Sequence, residues 1–124
     1  MFDWKKPTVQ LLGRWQPWHT GHTALFEQAL LETGQVVVMV RDMPQDEDNP
    51  FDYETVWHKI RDSLQAAGHM YTEQYIIMRV PNIVDISYGR EVGYTLTERD
   101  LGSTIHEVSS TKIRDEMRLT GELD

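Results

Sequence analysis

Residues 9–40 read VQLLGRWQPWHTGHTALFEQALLETGQVVVMV, and this stretch decides the fold. Val9–Leu12 is a short apolar run stopped by Gly13. Near Thr20-Gly21-His22 a helical spacing begins, with Leu25, Phe26, Ala29 and Leu30 on one stripe, and Thr33-Gly34 closes it. Val36–Val40 follows at once, an all-apolar, β-branched run of the kind expected for a strand covered on both faces. Strand, helix and strand in immediate succession predict a right-handed parallel crossover unit.

The alternation continues downstream. Asn49 reads as an N-cap, with Pro50 at the first helical position and Asp52 and Glu54 complementing the helix dipole. Val56, Trp57, Ile60, Leu64 and Ala67 follow at helical spacing, and Gly68 ends the element. Tyr75–Val80 is a third strand, ended by Pro81; Val84–Tyr88 is a candidate fourth and Ile105–Val108 a short fifth. Ser109, Ser110 and Thr111 then offer capping hydroxyls to a final helix that carries Ile113 and Met117 and stops at Gly121. The expected fold is α/β: a Rossmann-like, doubly wound parallel sheet in a single small domain over residues 1–124.

Composition narrows the function. The 124 residues hold 12 Lys and Arg, 20 Asp and Glu, five His and no Cys. Without cysteine there is no disulfide scaffold, thiolate zinc site, iron–sulfur cluster or cysteine nucleophile. The formal net charge of −8 argues against nucleic acid or an anionic membrane as partner, because like charges repel. A small phosphorylated ligand held by a few local donors is still allowed. Val36–Val40, the longest purely apolar run, is too short to cross a bilayer. The opening MFDWKKPTVQLLG has no apolar signal-peptide centre, so a cytoplasmic protein is expected.

In parallel α/β sheets, ligands gather beyond the carboxyl ends of the strands. That rule singles out Gly13–His22 and Val108–Arg114. The first segment is Gly13-Arg14-Trp15-Gln16-Pro17-Trp18-His19-Thr20-Gly21-His22. It has neither the three spaced glycines of a dinucleotide fingerprint nor the Gly-Lys-Ser/Thr of a P-loop. Instead it sets two imidazoles around Thr20-Gly21 at a helix start, where backbone N–H groups and the helix dipole favour an anion. Gly21 would let a ligand approach the backbone closely. Two imidazole donors placed there suit a phosphate whose negative charge grows during reaction.

Two plainer uses stay open. His22 could be a buried helix-start histidine bonded to backbone. The pair could also be half of a zinc site, although His58, His69 and His106 are scattered. In the other segment, Val108-Ser109-Ser110-Thr111-Lys112-Ile113-Arg114, hydroxyls and N–H groups at a helix start form an anion cradle. Arg114 and Lys112 add positive charge, and a simple Ser/Thr-capped helix is the alternative.

The Gly13–His22 segment resembles the signature of the nucleotidyltransferase superfamily that carries His-x-Gly-His after its first strand. Its Gly-Arg-aromatic-Gln-Pro-aromatic form is similar to that of archaeal-type nicotinamide-mononucleotide adenylyltransferases. The Val108–Arg114 segment resembles the superfamily's Ile-Ser-Ser-Thr-x-Ile-Arg signature, and Asn49-Pro50-Phe51 also occurs in the adenylyltransferase branch. In length the chain is closer to small cytidylyltransferases.

The resemblance implies transfer of AMP or CMP from ATP or CTP to a small phosphate-bearing acceptor, with pyrophosphate released and magnesium bound with the triphosphate. It makes His19, His22 and Arg114 the catalytic residues, the histidines acting on the α-phosphate. Ser110, Thr111 and Arg114 would hold the β- and γ-phosphates, with help from Arg14. Gly13, Arg14, Trp15, Gln16, Gly21, Arg90, Ser109, Ser110 and Thr111 are the implied nucleotide-binding residues, and no side chain is an implied metal ligand.

Trp15, Trp18, Tyr88 and Tyr94 are candidates to stack on a ring, and Arg41 is a weaker phosphate candidate. Asp46-Glu47-Asp48 is expected to be a solvated loop, while Phe26 and Trp57 read as core. Three rival functions are a nucleotide sensor without turnover, a subunit whose acceptor pocket another chain completes, and a metal-dependent hydrolase using His19 and His22. Small size and an exposed sheet edge are compatible with a homodimer.

Overall fold

Strand and helix alternate through the computed structural model as β1 (Val9–Gly13), α1 (Thr20–Thr33), β2 (Val36–Arg41), α2 (Tyr53–Ala66), β3 (Tyr75–Val80) and α3 (Ser110–Leu119). The structure describes residues 1–90, 93, 95–99 and 110–121. The three strands form a parallel sheet in the order β1-β2-β3. Val9 lies opposite Val36 and Gly13 opposite Val40, while Val36 pairs with Tyr75 and Arg41 with Val80.

Each strand adds on the same side of the one before, so two right-handed crossovers bring α1 and α2 to one face. Phe26 and Ala29 of α1 and Val56, Ile60 and Leu64 of α2 share a single core with Val36, Val38, Val40, Tyr75 and Ile77. Each large aliphatic side chain buried there contributes about 1.5–3 kcal/mol. Along β2 burial alternates: Val36, Val38 and Val40 are sealed, whereas Val37 and Met39 are only half-buried. The even coverage expected of this apolar run is therefore corrected to one tight face and one looser face.

The double winding concerns the other side of β1. The described strands lie on one side of it only. Along β1, Pro7–Leu12 line a cavity of about 1140 Å³ whose opposite wall includes Leu25, Ile86 and residues 95–99. Ile105–Val108, the expected fifth strand, lies outside the described residues.

Helix ends follow local chemistry. Gly34 closes α1 with φ +82 and donates its N–H to the Leu30 carbonyl at 2.8 Å. A left-handed residue here favours glycine, as the sequence indicated. The start of α2 differs from expectation: its cap is Asp52, which accepts from the Thr55 N–H at 2.9 Å. Asn49 and Pro50 belong to the preceding loop. Asn49 is drawn away by a bond from Arg14 and by a local turn with Asp46, and Asp52 supplies the same capping chemistry three residues later. Ala67, expected on the inward stripe of α2, is exposed at its C-cap.

Val84–Tyr88 forms no strand. Val84, Ile86 and Tyr88 are exposed, so the apolar alternation there has no sheet to join. Among the described residues no helix is long and apolar enough to cross a membrane.

Candidate active site

The site begins where β1 ends. A Cβ on Gly13 would lie 2.8 and 2.9 Å from two carbons of the Trp15 indole, so glycine makes room for that ring. Trp15 itself adopts φ +53, and its Nε1 donates to the Met39 carbonyl at 3.1 Å. Trp18 packs against it with ring centroids 4.9 Å apart, and its own Nε1 donates to Thr23 Oγ1 at 2.9 Å. Both indoles are buried. Expected as stacking platforms for a ligand ring, they instead floor the site: His22 rests on them at 4.8 and 5.3 Å.

His19 and His22 cap α1 reciprocally. The Gly21 N–H donates to His19 Nδ1 at 3.0 Å, and the His19 N–H donates to His22 Nδ1 at 3.2 Å. The two rings stack with centroids 3.6 Å apart and planes 22° from parallel. The arrangement follows the logic of a capping box, with imidazole nitrogens in place of hydroxyl and carboxylate oxygens. Because each Nδ1 accepts, each ring carries its hydrogen on Nε2.

Burial also pulls both imidazoles below their usual pKa; for His22, burial and the neighbouring His19 bring it down to about 3. The helix start therefore presents two neutral Nε2–H donors. The backbone-bonded reading of His22 holds for Nδ1, which leaves Nε2 for a ligand. The zinc reading fits poorly, since a ligating nitrogen must carry no hydrogen. Among the described residues no three His, Asp or Glu side chains cluster to hold a metal.

The distal helix closes on the same loop. Arg114 of α3 is buried, and its Nη1 donates to the Gln16 carbonyl at 2.6 Å. The two sequence segments singled out above are thus brought together across 98 residues. Burial, followed by the charge of Arg14, lowers the Arg114 pKa from its ordinary value. Ser110 and Thr111 open α3, and Ser109 lies outside the described residues.

Gln16 locks onto a neighbouring loop. Its Nε2 donates to the Phe51 carbonyl and its Oε1 accepts from the Phe51 N–H, both at 3.0 Å. Arg14 is exposed and its Nη1 donates to Asn49 Oδ1 at 3.3 Å. Gly21 is buried in the first turn of α1. Arg90 and Tyr88 are exposed on the segment after β3, and Tyr94 lies outside the described residues. Arg41 extends from the end of β2 to Asn82 Oδ1 at 2.9 Å.

Sequence reasoning missed the scaffolding role of residues 46–51. Asn49-Pro50-Phe51 carried a resemblance, but Arg14, which bonds Asn49, and Gln16, which bonds Phe51, each lie 35 residues away and show only in three dimensions.

No protein-family model matches the chain, and neither does any curated protein. Solved structures do. One is a bifunctional NMN adenylyltransferase/ADP ribose pyrophosphatase from Francisella tularensis complexed with AMP and a Mn ion, at 24% identity and a TM-score of 0.56. Another crystal structure described in the same terms, without the ligands, matches at 26% identity and the same TM-score. The fold is of the nucleotidyltransferase type. Each match covers 61% of this chain and 23% or 22% of the neighbour, so the chain spans less than a quarter of those proteins.

Proposed function

We propose that the protein transfers AMP or CMP from ATP or CTP to a small phosphate-bearing acceptor and releases pyrophosphate. An acceptor phosphate oxygen attacks the α-phosphorus, and the bond from that phosphorus to the bridging oxygen of the β-phosphate breaks. The pair of electrons leaves with pyrophosphate. No protein nucleophile is needed, so catalysis consists of positioning and charge stabilisation.

The observation that carries this reading is the interlocked His19–His22 pair at the start of α1, with buried Arg114 docked on the same loop. The two Nε2–H donors would meet the α-phosphate as charge builds on its oxygens, in an orientation fixed beforehand by the cap. The first turns of α1 and α3 add backbone N–H groups, and Arg114 with Ser110 and Thr111 would hold the departing phosphates. Arg14, Gly21 and Arg90 would add nucleotide contacts at the rim; Gly13, Trp15 and Gln16 would shape the wall behind them. AMP in the Francisella neighbour supports the adenylyl form of the reaction, as does its NMN adenylyltransferase description.

A divalent cation fits this donor set as a companion of the triphosphate rather than as a ligand of histidine. Bound there, it would draw charge off the triphosphate oxygens. The neighbour's Mn ion supports a divalent metal, and we infer magnesium as the one used here.

The test is pyrophosphate release with magnesium, offering each NTP in turn against nicotinamide mononucleotide, glycerol phosphate and phosphoethanolamine. Release in one combination, reduced roughly 10²–10³-fold by His22→Ala, is expected from the loss of one preorganised donor. Silence in every combination, with no nucleotide stabilising the fold, overturns the reading. Nucleotide binding without release in any combination points to an untried acceptor, a missing partner chain or a sensor.

A further inference from the structure

The transfer reading gives partners to the α-phosphate and to the departing phosphates, but none to the phosphate of the acceptor. A guanidinium at the same edge of the sheet answers that need. Arg41 is the last residue of β2, one step beyond Val40, which pairs with Gly13 at the end of β1. Two residues earlier, the Met39 carbonyl holds the Trp15 indole on which His22 rests. β2 therefore ends beside the floor of the site.

The arginines at the ends of the strands differ in what surrounds them. Arg79 of β3 gives its Nε–H to Asp42 Oδ2 at 2.8 Å and is neutralised by it. Arg14 bonds the Asn49 amide, and its charge also acts on Asp46. Arg41 donates from Nη2 to Asn82 Oδ1 at 2.9 Å, and an amide steadies a guanidinium without neutralising it. Among the described residues no carboxylate oxygen comes within 4.0 Å of its nitrogens. Its Nε is buried and has no hydrogen-bond partner. A half-buried cation with an unused donor and no carboxylate beside it is an arrangement that an anion completes. Phosphate matches the guanidinium fork in geometry as well as charge.

We propose that Arg41, steadied by Asn82, receives the phosphate of the acceptor, at an anion site separate from the one that takes the triphosphate. The inference rests on the transfer reading and deepens it. One side chain is given the task of preferring dianionic acceptors over uncharged ones.

Inorganic phosphate is the probe, titrated into the full chain in about 0.1 M salt, where charges more than roughly 10 Å apart are screened. The readout is the Arg41 Nε–H signal in proton–nitrogen NMR, identified by its loss in Arg41→Lys. In wild type this signal should move along a saturable curve, with and without ATP. Asn82→Asp sets a carboxylate against Arg41, as Asp42 stands against Arg79, and should weaken phosphate binding roughly tenfold or more. Ser87→Asp adds the same charge further along that exposed segment and should change binding by less than about twofold. No saturable movement in wild type overturns the site, and so do equal losses in the two variants or no loss in Asn82→Asp. If ATP alone moves the signal and phosphate then adds nothing, Arg41 serves the triphosphate and the proposal falls. Saturable phosphate binding in a protein that releases no pyrophosphate leaves the anion site standing and removes only the transfer reaction. Pyrophosphate release without that binding removes only the site.

Discussion

His22 gives its Nδ1 lone pair to the His19 N–H and lies on Trp15 and Trp18, so the hydrogen left for a ligand is on Nε2. The same burial makes the residue a source of acid sensitivity. Its pKa is about 3 in the folded protein and near 6.5 when unfolded. Between those values the unfolded chain binds a proton that the folded chain does not. Stability is therefore complete above about pH 6.5 and is lost as pH falls toward 3, by at most about 1.4 kcal/mol per pH unit for one proton. His19 shifts in the same direction. Chemical denaturation at pH 7.5 and pH 4.5 should show a smaller stability difference in His22→Ala than in wild type. An unchanged difference would mean that the imidazole is not held neutral by its surroundings.

At the scale of elements, the loop between β1 and α1 is held from two sides: by Phe51 through the Gln16 side chain, and by α3 through the Gln16 carbonyl. Gln16→Ala removes both side-chain bonds and leaves the Phe51 backbone groups to find new partners. A loss of about 1–3 kcal/mol is expected in urea denaturation. Because the loop carries the histidines, the same variant should also weaken nucleotide binding. Much of this arrangement was legible in the sequence. The bounds of α1 follow from Gly34 and the apolar stripe, and the strands from their β-branched runs, because those signals are local. Asn49 misled because a capping residue and a tertiary hub have the same side chain, and only the reach of Arg14 decides between them. Val84–Tyr88 misled because strand pattern records apolar spacing and not the presence of a neighbouring strand. Two histidines at a helix start were visible as anion donors, but their use of Nδ1 on each other's turn depends on rotamers.

Across the whole molecule, Gly13 stands opposite Val40, so the loops leaving β1 and β2 emerge side by side at the carboxyl edge of the sheet. That adjacency lets Gln16 reach Phe51 and Arg14 reach Asn49. A nucleotide bound there would tie together β1, α1, the 46–51 loop and α3, none of which is so arranged when unfolded. At a hundred times its Kd such a ligand adds about 2.7 kcal/mol, a rise in Tm on the order of 10 °C for a chain of this size. Thermal melts with ATP and CTP in turn should separate the two, the larger rise naming the base. No rise with either would mean that neither nucleotide binds the folded chain.

The aromatic floor has an optical consequence. Trp15 and Trp18 absorb light within van der Waals reach of His22, while Trp4 is 71% exposed and emits from water. A protonated imidazole quenches indole emission and a neutral one does so far less. The emission of Trp15 and Trp18 therefore responds to the charge state of His22, beside a contribution from half-buried Trp57, whose ring lies 5.0 Å from that of His58. The protein carries its own label at the place where its chemistry is expected, and watching that label needs no substrate, dye or partner.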